Sequence, residues 1–307
     1  MDAGMTTIDE IGATGQLIAI KGRDGGVSVV RRYGQGEVPH LFIHGFAEGS
    51  YVWRRTISRL PVDACAYTLD LRGHGESDWC ENGQYETVNH VHDTLHVMDV
   101  LGFDRVILIG HSLGGKVAAR VAALCRERVA GLIIVDTEPD ADPVAKAHVG
   151  NALQASLQQY DSVAQYAEQL VATRPLAPVA LLTELARDAL RPIKNGKFEL
   201  RADPRLVTSY PFEESGAEVW DSLARVNCPS LIVRGAYSGI LSSSSAQRIV
   251  SHMRDATLAI VAAAGHSVMI DNAEGFQAVI EAFLGKLREA SLCYAKASQE
   301  PSRSSQS

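Results

Sequence analysis

Ser112 stands at the centre of Gly110-His111-Ser112-Leu113-Gly114, a G-x-S-x-G pattern. Four apolar residues, Val106 to Ile109, precede it and have the length of a short buried strand. Behind it, residues 116–125 are rich in Ala, Val and Leu at helical spacing. A strand that enters a helix through so short a turn forces its middle residue into a strained backbone conformation. Gly110 and Gly114 let the two elements pack that closely. The turn lifts the Ser112 hydroxyl clear of the sheet at a helix N-terminus, where negative charge is favoured. Ser112 is therefore a candidate nucleophile. The same letters nearly spell a phosphate-binding loop, G-x-x-x-x-G-K, but the next position must carry a metal-holding hydroxyl and here is Val117.

A serine hydroxyl needs a base to accept its proton and a third group to fix that base's tautomer. For a serine in such an elbow the partners follow in the order acid, then histidine. His266, in Ala264-Gly265-His266-Ser267 after the last predicted strand, is the expected base. An acid is expected in the turn after the strand at 230–234. That turn, Gly235-Ala236-Tyr237-Ser238-Gly239-Ile240-Leu241, holds no carboxylate, and Ser238 occupies the expected place. Asp136, at the end of the strand following the elbow, is assigned the orienting role instead, with Glu138 and Asp140 as lesser candidates. The turn His44-Gly45-Phe46 follows the third strand, so the backbone N–H groups of Phe46 and Leu113 would form an oxyanion hole. Each such donor stabilises a transition state by about 3 kcal/mol. His111 is read as a support of the turn. His92 and His96, four apart on one predicted helix, lack a third ligand and are read as hydrated surface groups. Asp70-Leu71-Arg72-Gly73-His74-Gly75-Glu76-Ser77 is read as a structural loop.

These residues need elements to hold them. Strands are expected at 16–20 and 27–32, joined by an Asp24-Gly25-Gly26 hairpin turn, and then at 41–43, 64–71, 106–109 and 131–135. Helices are expected at 50–60 and along the face Val88, Val91, Leu95 and Met98. Strand–helix alternation implies an α/β architecture with a mostly parallel sheet and a ligand site off the carboxyl ends of its strands, where all the candidate residues fall. Between 140 and 223 prolines punctuate helical stretches (152–170 and 179–190) and no apolar strand is evident, so this segment is expected to be a helical cap. Core segments are expected at 15–139 and 224–292, the latter with strands at 230–234 and 256–262 and helices at 244–253 and 273–290. Tails at 1–14 and 297–307 are expected to be disordered.

The chain has 307 residues and a formal net charge of −7, which argues against general nucleic-acid binding. Its five cysteines are scattered without a C-x-x-C pair, as expected of reduced thiols in the cytoplasm. The first residues show no signal peptide, and no apolar run is long enough to span a membrane. No cofactor or metal is called for, the expected partner is a small-molecule substrate, and the sequence specifies no oligomeric state.

With His44-Gly45-Phe46 and Trp53, the loop at 70–77, the Ser112 elbow and Ala264-Gly265-His266-Ser267, the chain resembles the α/β-hydrolase superfamily over 16–139 and 225–290. The resemblance implies an eight-stranded sheet and a serine hydrolase. Ser112 would attack a carbonyl, His266 would move protons, and Phe46 and Leu113 would hold the oxyanion of an acyl-enzyme pathway. The absent acid after 230–234 departs from the common pattern. Some members carry it one strand earlier, as Asp136 would, in a branch resembling amide- and ring-cleavage-product hydrolases. The implied substrate is a small ester, lactone, amide or activated C–C bond. The alternative is a lyase, cyclase or small-ligand binder using the same pocket.

Overall fold

The structure, a computed structural model, describes residues 15–61, 63–140, 143–209 and 216–299. The tail expected at 1–14 and residues 300–307 lie outside these. Eight strands form one sheet: β1 (Gln16–Lys21), β2 (Val27–Gly34), β3 (Pro39–Ile43), β4 (Cys65–Asp70), β5 (Val106–His111), β6 (Val129–Val135), β9 (Ser230–Gly235) and β10 (Ala256–Val261). Their order across the sheet is β1-β2-β4-β3-β5-β6-β9-β10. The β1–β2 hairpin and the β2–β4 pair are antiparallel, and every other pair is parallel.

Strands β3, β4, β5 and β9 are buried at every residue because helices cover both faces. Alternate side chains feed two cores. Phe42, Ile109, Ile133 and Val233 pack with Trp53 on one face. Leu41, Leu108, Ile134 and Ile232 pack on the other against Val91 and Met98, and against Val117 and Val121 of the elbow helix. The helix expected at 50–60 is a 3₁₀ turn at Ser50–Trp53 running into α1 (Arg54–Ile57). Helix α2 (Thr87–Val100) buries His90, Val91, Thr94, Val97 and Met98, so the expected face is rotated and Val88 lies exposed. The elbow helix is α3 (Leu113–Leu124).

The insertion differs from expectation in three ways. The stretch expected as one helix from 152 to 170 is two, α4 (Pro143–Ser156) and α5 (Val163–Thr173), and Ser162 starts the second by accepting a hydrogen bond from Gln165 N. After α6 (Val179–Ala189) comes a small hairpin, β7 (Leu190–Pro192) with β8 (Phe198–Leu200), turned at Gly196 with φ 79°. Strands of three residues leave no apolar run to read. Beyond α7 (Leu206–Ser209), α8 (Ala217–Arg225) places Val219, Trp220 and Leu223 in the sheet's own core, so the core resumes before 224. Helices α9 (Ser243–His252), α10 (Val268–Asp271) and α11 (Ala273–Gln299) complete the chain. Residues 297–299, expected to be tail, continue α11, since no proline interrupts the chain from Ala273 until Pro301.

Besides His111, four histidines are buried among the described residues. His40 lies near the start of β3 and His44 just past its end, and His74 lies between the rings of His44 and His90, 5.1 and 6.1 Å away. Burial holds them neutral: His40 and His44 are lowered to about 4, His74 to about 3, and His90 well below its ordinary value. A group whose folded pKa is depressed stabilises the fold above its unfolded pKa. That stability is lost as pH falls, because the unfolded chain takes up protons that the folded one refuses. The stability measured by urea unfolding should therefore fall as pH is lowered from 6.5 to 4. His40→Gln should reduce that slope by up to about 1.4 kcal/mol per pH unit, and an unchanged slope would contradict the assignment.

Candidate active site

Ser112 has φ 52° and ψ −113°, outside both helix and strand conformations. Its N–H donates to Val135 O at 3.0 Å, and its carbonyl accepts from Gly115 N at 3.0 Å and Thr137 Oγ1 at 3.1 Å. The strain is held in place from both neighbouring strands. A Cβ on Gly110 would lie 2.2 Å from Gly114 O, which keeps the strand against the helix. A Cβ on Gly114 would lie 2.3 Å from Ile43 O and 2.5 Å from His44 O. The start of α3 thus abuts the end of β3, which brings Leu113 and the Phe46 turn to one corner of the sheet. Val117 is fully buried in the core and offers nothing to a phosphate-bound metal.

Asp136 begins where β6 ends and is also left-handed, with φ 46°. Its N–H donates to Val233 O at 2.8 Å, so the turn is tied to β9. Its carboxylate, fully buried, accepts from Gly235 N at 3.0 Å on Oδ1. On Oδ2 it accepts from Ser238 Oγ at 2.5 Å and His266 Nδ1 at 2.8 Å. Ser238 Oγ in turn accepts from Ile240 N and Leu241 N, both at 3.1 Å. The turn after β9 therefore supplies donors to an acid coming from β6. The lesser candidates point elsewhere: Glu138 accepts from Asp140 N and Ser242 N, and Asp140 from Trp220 Nε1.

His266 sits in the loop after β10. A Cβ on Gly235 would lie 2.0 Å from Gly265 O, and Gly265 N donates to Asp271 Oδ2 at 2.8 Å, so the loop is clamped from two sides. With Nδ1–H donated to Asp136, the lone pair is left on Nε2. Burial and the nearby His111 charge lower the pKa of His266, while its hydrogen bond to Asp136 opposes them.

One acid of this cluster is marked by no sequence pattern. Glu48, two residues past Phe46, is buried, and its Oε2 accepts from Gly45 N and from His111 Nδ1, each at 3.0 Å. The other His111 nitrogen, Nε2, faces His266 O at 3.0 Å. With an acceptor facing each nitrogen, the doubly protonated imidazolium paired with the Glu48 carboxylate is the form that satisfies both contacts. Burial opposes the charge on each, yet Glu48 raises the His111 pKa, and His111 with Arg174 holds the Glu48 carboxyl far below the usual carboxylate range. The pair joins the Phe46 turn, the elbow and the His266 loop. Only its partner, 63 residues away, distinguishes Glu48 from any other turn acid.

Other singled-out residues lie outside this cluster. Asp70 organises its loop by accepting from Ser50 N at 2.6 Å and Glu76 N at 3.0 Å, and a Cβ on Gly75 would lie 2.3 Å from that carboxyl carbon. Arg72 forms a two-pronged pair with Asp93. His92 is exposed, and His96 Nε2 is 2.9 Å from Lys21 O. Among the described residues no group of three or more His, Cys, Asp or Glu side chains could hold a metal ion. No helix there is long and apolar enough to cross a membrane.

A model of the alpha/beta hydrolase fold matches residues 39–273. Esterase Rv0045c of Mycobacterium tuberculosis is 28% identical over 287 residues, covering 91% of this chain and 92% of that protein. The 2-(acetamidomethylene)succinate hydrolase of Mesorhizobium japonicum is 26% identical, covering 78% of this chain and 84% of that one. The crystal structure of an E-2-(acetamidomethylene)succinate hydrolase superposes with a TM-score of 0.79 at 24% identity, over 88% of this chain and all of that one. The chain belongs to the alpha/beta hydrolase fold family and is an α/β-fold hydrolase.

Proposed function

We propose that Ser112, His266 and Asp136 form a catalytic triad that cleaves a small-molecule ester, lactone, amide or activated C–C bond through an acyl-enzyme. The observation that carries the reading is the 2.8 Å contact between His266 Nδ1 and Asp136 Oδ2, with His266 packed against His111, the residue before a strained serine at a helix N-terminus. Ser112 Oγ attacks the carbonyl carbon as His266 Nε2 takes its proton. Asp136 holds the imidazolium that forms, and the N–H groups of Phe46 and Leu113 receive the oxyanion. Collapse of the tetrahedral species breaks the scissile bond, with the leaving group protonated by His266. Water then repeats the sequence on the acyl-enzyme and frees the acid. The names esterase and hydrolase carried by relatives support this chemistry. The unpaired state of Cys65, Cys80, Cys125 and Cys228 supports a cytoplasmic setting.

Ser112→Ala should abolish both turnover of an activated ester and labelling by a fluorophosphonate. Full hydrolysis by that variant would end the proposal, and wild-type protein that neither turns the ester over nor is acylated by it would favour a lyase- or cyclase-type use of the pocket. For the acid, Asp136→Asn should reduce kcat by as much as about 10⁴-fold, because the amide stabilises the wrong imidazole tautomer. Ser238→Ala, which removes one donor to the carboxylate but no charge, should have a far smaller effect. Equal losses in the two variants would count against Asp136 as the orienting acid. Because the folded pKa of His266 lies below 6.5, the acid limb of kcat/KM should lie below that value. A midpoint above 6.5 would show that the base is a different group or one stabilised in its charged form.

A further inference from the structure

The cap supplies one cation to this corner of the molecule. Arg174 follows the last residue of α5, and its backbone N–H closes that helix on Leu170 O at 2.8 Å. Its segment lies over the His266 loop: a Cβ on Gly265 would lie 3.6 Å from Leu176 Cδ1. The guanidinium donates from Nη1 to Ser267 Oγ, next to the proposed base, at 3.2 Å. Its nearest carboxylate oxygen is Glu48 Oε1, 3.8 Å from Nη2 and beyond hydrogen-bond reach. The other Glu48 oxygen is already taken by Gly45 N and His111. Asp271, also nearby, is held by Gly265 N.

Arg174 therefore makes one hydrogen bond from five guanidinium donors among the described residues, while its side chain is only 30% exposed. A half-buried guanidinium has lost hydration that a single neutral hydroxyl does not replace, and its planar fork matches a carboxylate. Two phenols, Tyr51 and Tyr166, share its electrostatic neighbourhood. Burial raises both pKa values, Tyr166 to about 12, so they are proton donors and not competing anions. Leu176 and Tyr237, which flank Gly265, carry exposed side chains.

We propose that Arg174 is a substrate-binding residue that selects molecules carrying a free carboxylate a short distance from the bond to be cleaved. This rests on the triad reading above and adds the substrate class to it. Ser267 positions the guanidinium, and Glu48, ion-paired with it at 3.8 Å without a hydrogen bond, biases its orientation and leaves its remaining N–H groups unused.

The test uses matched pairs of esters that differ only in one carboxylate: 4-nitrophenyl hydrogen succinate and glutarate against their methyl-ester counterparts, and 4-acetoxybenzoate against its methyl ester. The first pairs place the charge in the acyl half and the last places it in the leaving group. Wild-type protein should prefer the acid in at least one pair by about tenfold or more in kcat/KM, mainly through KM, as expected of one charge-assisted pair. Arg174→Gln should collapse that ratio and Arg174→Lys should keep part of it. Free glutarate should inhibit wild type competitively, and dimethyl glutarate should not. A wild-type preference for the neutral ester in every pair, or an acid preference that survives Arg174→Gln, would overturn the assignment. The wild-type comparison decides even if the glutamine variant fails to fold. Failure of the triad reading looks different: hydrolysis of every ester would persist in Ser112→Ala.

Discussion

One buried carboxylate sets the geometry of the whole carboxyl edge of the sheet. Asp136 leaves β6 in a left-handed conformation, fixed by its N–H on β9, and its two oxygens then accept from three donors. A fully buried carboxylate with fewer partners would be costly, since each unmade hydrogen bond to a charged group forfeits more than a neutral one does. Satisfying it draws together the elbow side of the sheet, the turn after β9 and the loop after β10. The same constraint accounts for the serine at 238. Gly235 N and Ser238 Oγ both donate to Asp136, so position 238 faces that carboxylate directly. A second carboxylate there would face Asp136 as a like charge and one of the two would have to take up a proton. A hydroxyl, donating to the acid and accepting from Ile240 and Leu241, fits the vacancy that the strand exchange creates.

What the sequence made legible follows from the range of each interaction. The Ser112 elbow is a local object: Gly110, Gly114 and the strand–helix change all lie within a few residues, so the pattern carries the geometry. The strands of the central sheet were readable because burial on both faces leaves uninterrupted apolar runs such as Val106 to Ile109. The rotated face of α2 was not, because its buried side includes His90 and Thr94, which no hydropathy pattern places inside. The hairpin of β7 and β8 is too short to show a period, and α8 joined the core through Val219, Trp220 and Leu223 after a proline-rich segment that suggested continued cap. Glu48 and Arg174 were invisible for a different reason. Their meaning lies in partners brought close by topology, across 63 residues in the pair Glu48–His111 and 93 in the pair Arg174–Ser267.

The two charge systems of the site are linked through His111. Its ring lies 4.7 Å from that of His266, tilted by 44°, and donates to that residue's own carbonyl. The charge disfavours a second positive charge on His266, while Asp136 favours it. For the proposed triad this opposition matters, because a base that shuttles protons must be able both to take one up and to release it. Glu48 is what makes the His111 charge tolerable, and it does so with one oxygen. The second oxygen faces Arg174 from 3.8 Å, near enough to orient the guanidinium and too far to satisfy it. Moving Glu48 closer to Arg174 would draw it away from Gly45 and His111 and loosen the turn that carries Phe46. The elbow's rigidity and the open valence on Arg174 are thus two consequences of the same carboxylate's position, so substrate charge is read by a group whose incomplete pairing the proposed catalytic scaffold itself enforces.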